Sequence, residues 1–197
     1  MRKPAKQKTN IKQNKGSIRI IAGQHRGRKL PVILAEGLRP TTDRVKETVF
    51  NWLMPYIRDS HCLDCFAGAG SLGFEAFSRG ASHVTMIELN KVAAKQIKEN
   101  QQLLTANNTE VINTDTLQFL QQAPQPYDLV FIDPPFRKEL ITQTLTLLNQ
   151  GWLKPKALVY LEAEQETQLA IPENWQLLKE KVAGQVAYRL YQVSANS

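Results

Sequence analysis

The chain has 197 residues, 42% hydrophobic and 22% charged, with a formal net charge of +7. That length suits one domain with a sizeable core, and no apolar run approaches a membrane span or a signal peptide. Two cysteines, Cys62 and Cys65, are too few for a disulfide framework or a four-ligand zinc site, and they point to a reducing cytoplasmic setting.

The charge is uneven. Residues 1–35 hold ten Lys or Arg and no acid, while the remainder carries fifteen basic and eighteen acidic residues. A basic arm on a mildly acidic body is the electrostatic footprint of a nucleic-acid binder. Residues 1–16 are rich in Lys, Gln and Asn, and are expected to be a disordered basic tail. SIRIIAG and GRKLPVIL then read as a hairpin, with Arg19, His25, Arg26, Arg28 and Lys29 facing outward.

TTDRVKETVFNWLM reads as a helix capped by Thr42 or Asp43, with Val45, Val49, Trp52 and Leu53 on one face. From there strands and helices alternate. The predicted strands are 61–66, 83–88, 109–113, 127–133 and 157–163; the helices lie near 71–79, 90–105, 116–122 and 138–149. The last segment, WQLLKEKVAGQVAYRLYQV, reads as a hairpin turning at Ala183-Gly184. Repeated βα units imply an α/β, Rossmann-like, mostly parallel sheet with helices on both faces, closed here by an antiparallel hairpin. The expected division is tail (1–16), basic hairpin and helix (17–55) and catalytic domain (56–197).

Gly68, Gly70 and Gly73 follow the first strand of this series as G-x-G-x-x-G, and Glu88 ends the next strand twenty residues after Gly68. Such glycines allow close backbone approach, and the acid accepts hydrogen bonds from ribose hydroxyls. NAD, FAD and S-adenosylmethionine all fit that geometry. Asp64 beside the loop repels a pyrophosphate and suits the ammonium of a methionine moiety. Asp115 is placed either for an adenine amino group or as a helix cap.

The fourth strand ends LVFIDPPF (129–136). In open α/β sheets ligands bind beyond the carboxyl ends of strands, and this strand should neighbour the first, so DPPF enters the same cleft as the glycine loop. Asp133 and the Pro134 carbonyl can accept both hydrogens of an exocyclic amine and aim its lone pair at a methyl donor. The prolines stiffen that turn, and the ring of Phe136 can stack on a base.

FAGAG, Glu88 and DPPF resemble the class I S-adenosylmethionine-dependent N-methyltransferases. With RIIAGQHRGRKL (19–30) and LRPTTDRVKETVFNWL (38–53), residues 17–193 resemble the bacterial 16S ribosomal RNA guanine-N2 methyltransferases of the RsmD family. That resemblance implies that Asp133, Pro134 and Phe136 hold the target guanine. It also implies S-adenosyl-L-methionine as cofactor, within a site drawn from Asp64, Phe66, Gly68, Gly70 and Gly73 with Glu88, Leu89, Asp115 and Thr116. Arg39, Thr41 and Arg44 are expected near the cleft entrance, joining Arg19, Arg26, Arg28 and Lys29 in gripping RNA. The expected partner is 16S RNA, within a subunit particle or assembly intermediate, and the expected state is a cytoplasmic monomer. Adenine N6, a glutamine amide and NAD-dependent oxidoreduction remain the alternatives. No metal site is evident, since His25, His61 and His83 are scattered.

Overall fold

The computed structural model describes residues 15–33, 42–135 and 138–195. The sequence expectations for residues 1–14, Arg39, Thr41 and Phe136 therefore lie outside the described residues. β1 (Lys15–Arg19) and β2 (Lys29–Ile33) form an antiparallel hairpin. It is followed by α1 (Asp43–Leu53), which Thr42 caps through its Oγ1 to the N–H of Val45.

Four βα units come next: β3 (His61–Asp64), α2 (Ser71–Ser78), β4 (His83–Ile87), α3 (Lys91–Leu103), β5 (Thr109–Ile112), α4 (Thr116–Leu120), β6 (Tyr127–Ile132) and α5 (Lys138–Leu148). β7 (Leu153–Glu164), β8 (Trp175–Ala183) and β9 (Val186–Val193) close the chain. The seven-stranded order is β5-β4-β3-β6-β7-β9-β8, parallel from β5 to β7, with β9 antiparallel to both β7 and β8.

Most elements end one or two residues short of expectation, and two boundaries have a plain cause. β3 stops at Asp64 because the glycine turn begins there. β7 starts at Leu153, four residues before the ALVYLEA run, and its early pairing with Tyr127 is interrupted by a register shift.

After β5 the chain returns across the sheet to lay β6 against the other side of β3. That reversal opens a crevice at the carboxyl ends of β3 and β6. Gly73 lets α2 lie close above the sheet: a Cβ there would stand 2.5 Å from the Met86 sulfur.

The N-terminal hairpin shares the core of the main body. Ile18, Ile20, Leu30 and Val32 are buried in one cluster with Phe50, Phe131 and Tyr160, each fully buried aliphatic contributing about 1.5–3 kcal/mol. Polar bonds pin it further. Glu75 of α2 is fully buried and accepts the N–H groups of Ile21 (2.8 Å) and Ala22 (3.0 Å) and the Arg79 Nε (2.7 Å). The Ser78 carbonyl accepts from Gln24 N at 2.7 Å. Gly23, at φ +83°, is required there, since a Cβ would overlap that carbonyl at 1.8 Å. Lys46 of α1, also buried, donates to the Arg19 carbonyl.

Candidate functional site

A cleft of about 1070 Å³ runs along the carboxyl ends of β4, β3, β6 and β7 and beneath α1 and β2. The end that the sequence expectation gives to the cofactor is the loop after β3. Gly68 and Gly70 take φ of +56° and +78°, values that a side chain would oppose. The Gly68 N–H donates to Glu88 Oε2 at 2.7 Å, and the Asn90 N–H donates to Glu88 Oε1, also at 2.7 Å. Glu88 is thus held at the strand end before any ligand arrives, and burial raises its pKa above the ordinary carboxylate range.

Leu89 is 67% exposed beside it, a large apolar side chain offered to the cleft. Asp115 accepts the Gln118 N–H at 3.1 Å as the cap of α4 and lines the cleft as well, so the two readings of this residue are compatible. Thr116 is committed to the Cys65 carbonyl through its hydroxyl.

Asp64 ends β3 and is 1% exposed. Its Oδ2 accepts the Gly73 N–H at 3.2 Å, while Oδ1 has no partner among the described residues. Burial, and next the Asp133 carboxylate, push its pKa up to about 7. The buried hydroxyl of Ser71, at the start of α2, is the other buried side-chain oxygen without a partner among the described residues. Both residues line the cleft, beside half-buried Phe66. An unpaired acceptor and an unpaired donor at one loop suit the two charged groups of an amino-acid moiety.

The acceptor end begins at Asp133 and Pro134, directly after β6, whose Phe131 pairs with Asp64 in register. The cleft therefore brings DPP and the glycine loop together, as the spacing predicts. On its far side it adds Glu162, Glu164 and Tyr188, with Arg44 and Lys181 on the walls formed by α1 and the β8–β9 hairpin. Sequence reasoning missed Glu162, Ser71 and Lys181. Each sits in an element whose pattern already looks complete: an apolar strand, a glycine turn and an exposed hairpin.

The basic set divides. Arg44 lines the cleft, whereas Arg19, Arg26, Arg28 and Lys29 stay exposed on the hairpin away from its lining. Arg28 is partly tethered, donating to the Leu103 carbonyl at 3.2 Å. His25 is not simply outward: its ring stacks on Phe77 with centroids 5.1 Å apart. Cys62 and Cys65 are buried, and burial pushes the Cys62 thiol up to about 12, so neither supplies a thiolate. Among the described residues no cluster of His, Cys, Asp and Glu can hold a metal, and no helix is long and apolar enough to cross a membrane.

Residues 18–192 match the family described as "Conserved hypothetical protein 95". The chain belongs to that family. Its relatives include "Ribosomal RNA small subunit methyltransferase D" of Haemophilus influenzae, 60% identical over 183 residues that span 90% of this chain and 95% of that one. The protein of the same name from Escherichia coli K12 is 55% identical, over 91% of this chain and 92% of that one. The solved yhhF chain of Escherichia coli superposes with a TM-score of 0.87 at 54% identity, covering 92% of this chain and all of that one. The family resemblance drawn from FAGAG, DPPF and the N-terminal blocks is borne out, and so is the Rossmann-like methyltransferase fold. S-adenosyl-L-methionine is the cofactor that the sequence resemblance implies, and the fold is shared with an RNA methyltransferase of Salinibacter ruber solved in complex with S-adenosyl-L-homocysteine (TM-score 0.64, 14% identity). The glycine-loop end of the cleft fits S-adenosyl-L-methionine: Asp64 offers an unpartnered carboxylate oxygen that suits an ammonium, and the residues of the loop carry no cation for a pyrophosphate.

Proposed function

We propose that this chain transfers a methyl group from S-adenosyl-L-methionine to the exocyclic N2 amine of a guanine in 16S ribosomal RNA. The observation that carries the reading is the pairing of β3 with β6, which sets Asp133-Pro134 and the glycine loop into one cleft. The names of the relatives support ribosomal RNA of the small subunit as substrate.

On this reading Asp64 holds the cofactor ammonium, Glu88 the ribose and Asp115 the adenine, with Leu89 against its ring. Gly68, Gly70 and Gly73 keep the loop close to the ligand, and Phe66 and Thr116 complete the wall. When bound, the cofactor would supply an electrophilic methyl group, its carbon–sulfur bond breaking to leave a neutral thioether.

Asp133 and the Pro134 carbonyl accept the two amine hydrogens, so the nitrogen lone pair points away from them and into the cleft. The amine loses one proton as its new bond to carbon forms, and the Asp133 carboxylate takes it. Phe136 stacks on the splayed base, which RNA outside a continuous duplex can present. Arg44 meets the phosphates nearest the cleft, while Arg39 and Thr41 serve its entrance. Arg19, Arg26, Arg28 and Lys29 add non-specific grip along the hairpin.

The test is tritium transfer from labelled S-adenosylmethionine to small ribosomal subunits and to free 16S RNA, followed by nucleoside analysis. Label in N2-methylguanosine with the wild-type protein, and about a hundred- to a thousandfold less with Asp133→Ala, is the expected result. Label in N6-methyladenosine would replace guanine by adenine as the target. Label in protein amide would remove RNA as the acceptor.

A further inference from the structure

The strand register places a second carboxylate beside the first. Ile132 of β6 pairs with Leu161 of β7, and the residues that follow, Asp133 just beyond β6 and Glu162 within β7, both line the cleft and lie close enough for the charge of one to act on the other. Glu162 in turn pairs with Tyr188 of β9. Two residues earlier along each strand lies the row Asp64, Phe131 and Tyr160, on the same face by the period of two. Asp133 and Glu162 thus look into the cleft beneath α1. Tyr160, itself fully buried, donates its hydroxyl to Glu162 Oε1 at 2.6 Å and fixes the carboxyl group.

A carboxyl group in this place needs a reason. Satisfying one tyrosine hydroxyl takes only a carbonyl or an amide, whereas desolvating a carboxylate beside another is costly. Burial, and then the Asp133 charge, raise Glu162 to about 8 against the opposing Tyr160 hydrogen bond. Among the described residues, the other charged or titratable groups lining the same cleft include Asp64 on β3, Glu164 on β7, Tyr188 on β9, Lys181 on β8 and Arg44 on α1. The ligand-free pair therefore holds a proton near neutrality, and a ligand with two adjacent donors displaces it. Guanine is that ligand among the bases: its Watson–Crick edge carries N1–H next to the N2 amine. Adenine and cytosine each present a ring-nitrogen lone pair beside the amine, and uracil has no amine.

We infer that Glu162 is the guanine-reading residue of the cleft, its carboxylate accepting the target's N1–H while Asp133 and Pro134 hold the N2 amine. The inference rests on the guanine-N2 reading above.

The probe that isolates it is 2,6-diaminopurine, which keeps the N2 amine but has a lone pair at N1. Once the modified guanine has been mapped, 16S RNA is assembled by ligation with guanine or 2,6-diaminopurine at that position. Both are offered, free and in reconstituted subunits, to the wild-type protein and to Glu162→Gln. The expected wild-type preference for guanine in kcat/KM is about ten- to a hundredfold, the usual weight of a hydrogen bond to a charged group. In Glu162→Gln the Tyr160 hydroxyl keeps the amide oxygen, so the amide N–H groups face the base and the preference falls to near unity or reverses.

The ratio within one preparation cancels the active fraction, and the wild-type ratio alone already decides if the variant folds poorly. Equal wild-type rates on both RNAs, or an unchanged ratio in Glu162→Gln, overturn the inference and leave the N2 reaction standing. Absence of N2-methylguanosine with the wild-type protein on natural RNA removes the reading itself, and the inference with it.

Discussion

At the cofactor end of the cleft, the carboxylates are held mostly by neighbouring backbone. Glu88 takes the N–H groups of Gly68 and Asn90, and Asp115 takes that of Gln118. At the other end, Asp133 just beyond β6 and Glu162 of β7 lie close to one another, and burial, then the Asp133 charge, raise Glu162 to about 8. The first arrangement is set before binding, with acceptors fixed by local turns. The second depends on strand register and, on the proposed reading, relaxes when donors arrive. Asp64 belongs to both: one oxygen is tied to Gly73, the other is unpaired, and after burial the charge nearest in effect is Asp133. Pre-fixed geometry suits a ligand that enters identically each time, whereas a proton-holding pair suits a base that must be selected.

The strongest break in that comparison is Asp133→Ala, already expected to cost about two to three orders of magnitude in transfer. Its dissociation constant for S-adenosylhomocysteine, by calorimetry, should stay within a few-fold of wild type. A parallel collapse of cofactor binding would show that the two ends are not separable.

Next comes Glu75→Ala, which leaves the Ile21 and Ala22 N–H groups and the Arg79 guanidinium without a buried partner, at a cost of about 3–5 kcal/mol. Denaturant unfolding measures the loss. Because the hairpin and α1 roof the acceptor end, RNA methylation should fall further than cofactor affinity in the folded fraction. An equal fall in both would contradict that placement.

Asp64→Asn sharpens the comparison through pH. The folded pKa of Asp64 is raised to about 7, so in the ligand-free protein its stabilising contribution is present below the ordinary carboxylate range and is lost as pH rises through about 7. On the proposed reading the cofactor ammonium favours the ionised form, so wild-type affinity should rise with pH through about 7 and then level. Asp64→Asn should bind about tenfold more weakly at pH 8, with no such rise and with a flatter melting profile between pH 5 and 8. Calorimetry and thermal melts across that range check both.

The smallest effects belong to the exposed hairpin. Each of Arg26→Ala and Lys29→Ala should lower the salt slope of RNA binding by about one or less and leave cofactor affinity unchanged. A change in which nucleoside is modified would instead assign the hairpin to base recognition.

Much of the cofactor end was legible because its residues are neighbours in sequence. The glycines and Asp64 lie within ten residues of one another, and Glu88 follows from the fixed length of one βα unit. Asp133 was legible because two prolines after an apolar strand are unusual, and its approach to the glycine loop needed only the rule for ligands at strand ends. The alternation of strands and helices came from local periodicity in the same way, and so did the closing hairpin.

Tertiary structure decided what depends on distant pairings. Glu162 becomes Asp133's neighbour only through the register of β6 against β7, which one residue of slip would abolish. Glu75 reads as a lone acid in an apolar helix until residues more than fifty positions earlier bring two N–H groups to it. Lys46 reads as an ordinary surface lysine of α1 until the hairpin carbonyl of Arg19 covers it. Composition and spacing report chemistry that the chain carries within one turn or one unit. Desolvation, and the proton equilibria that follow from it, depend on which distant groups the packed fold excludes from water together.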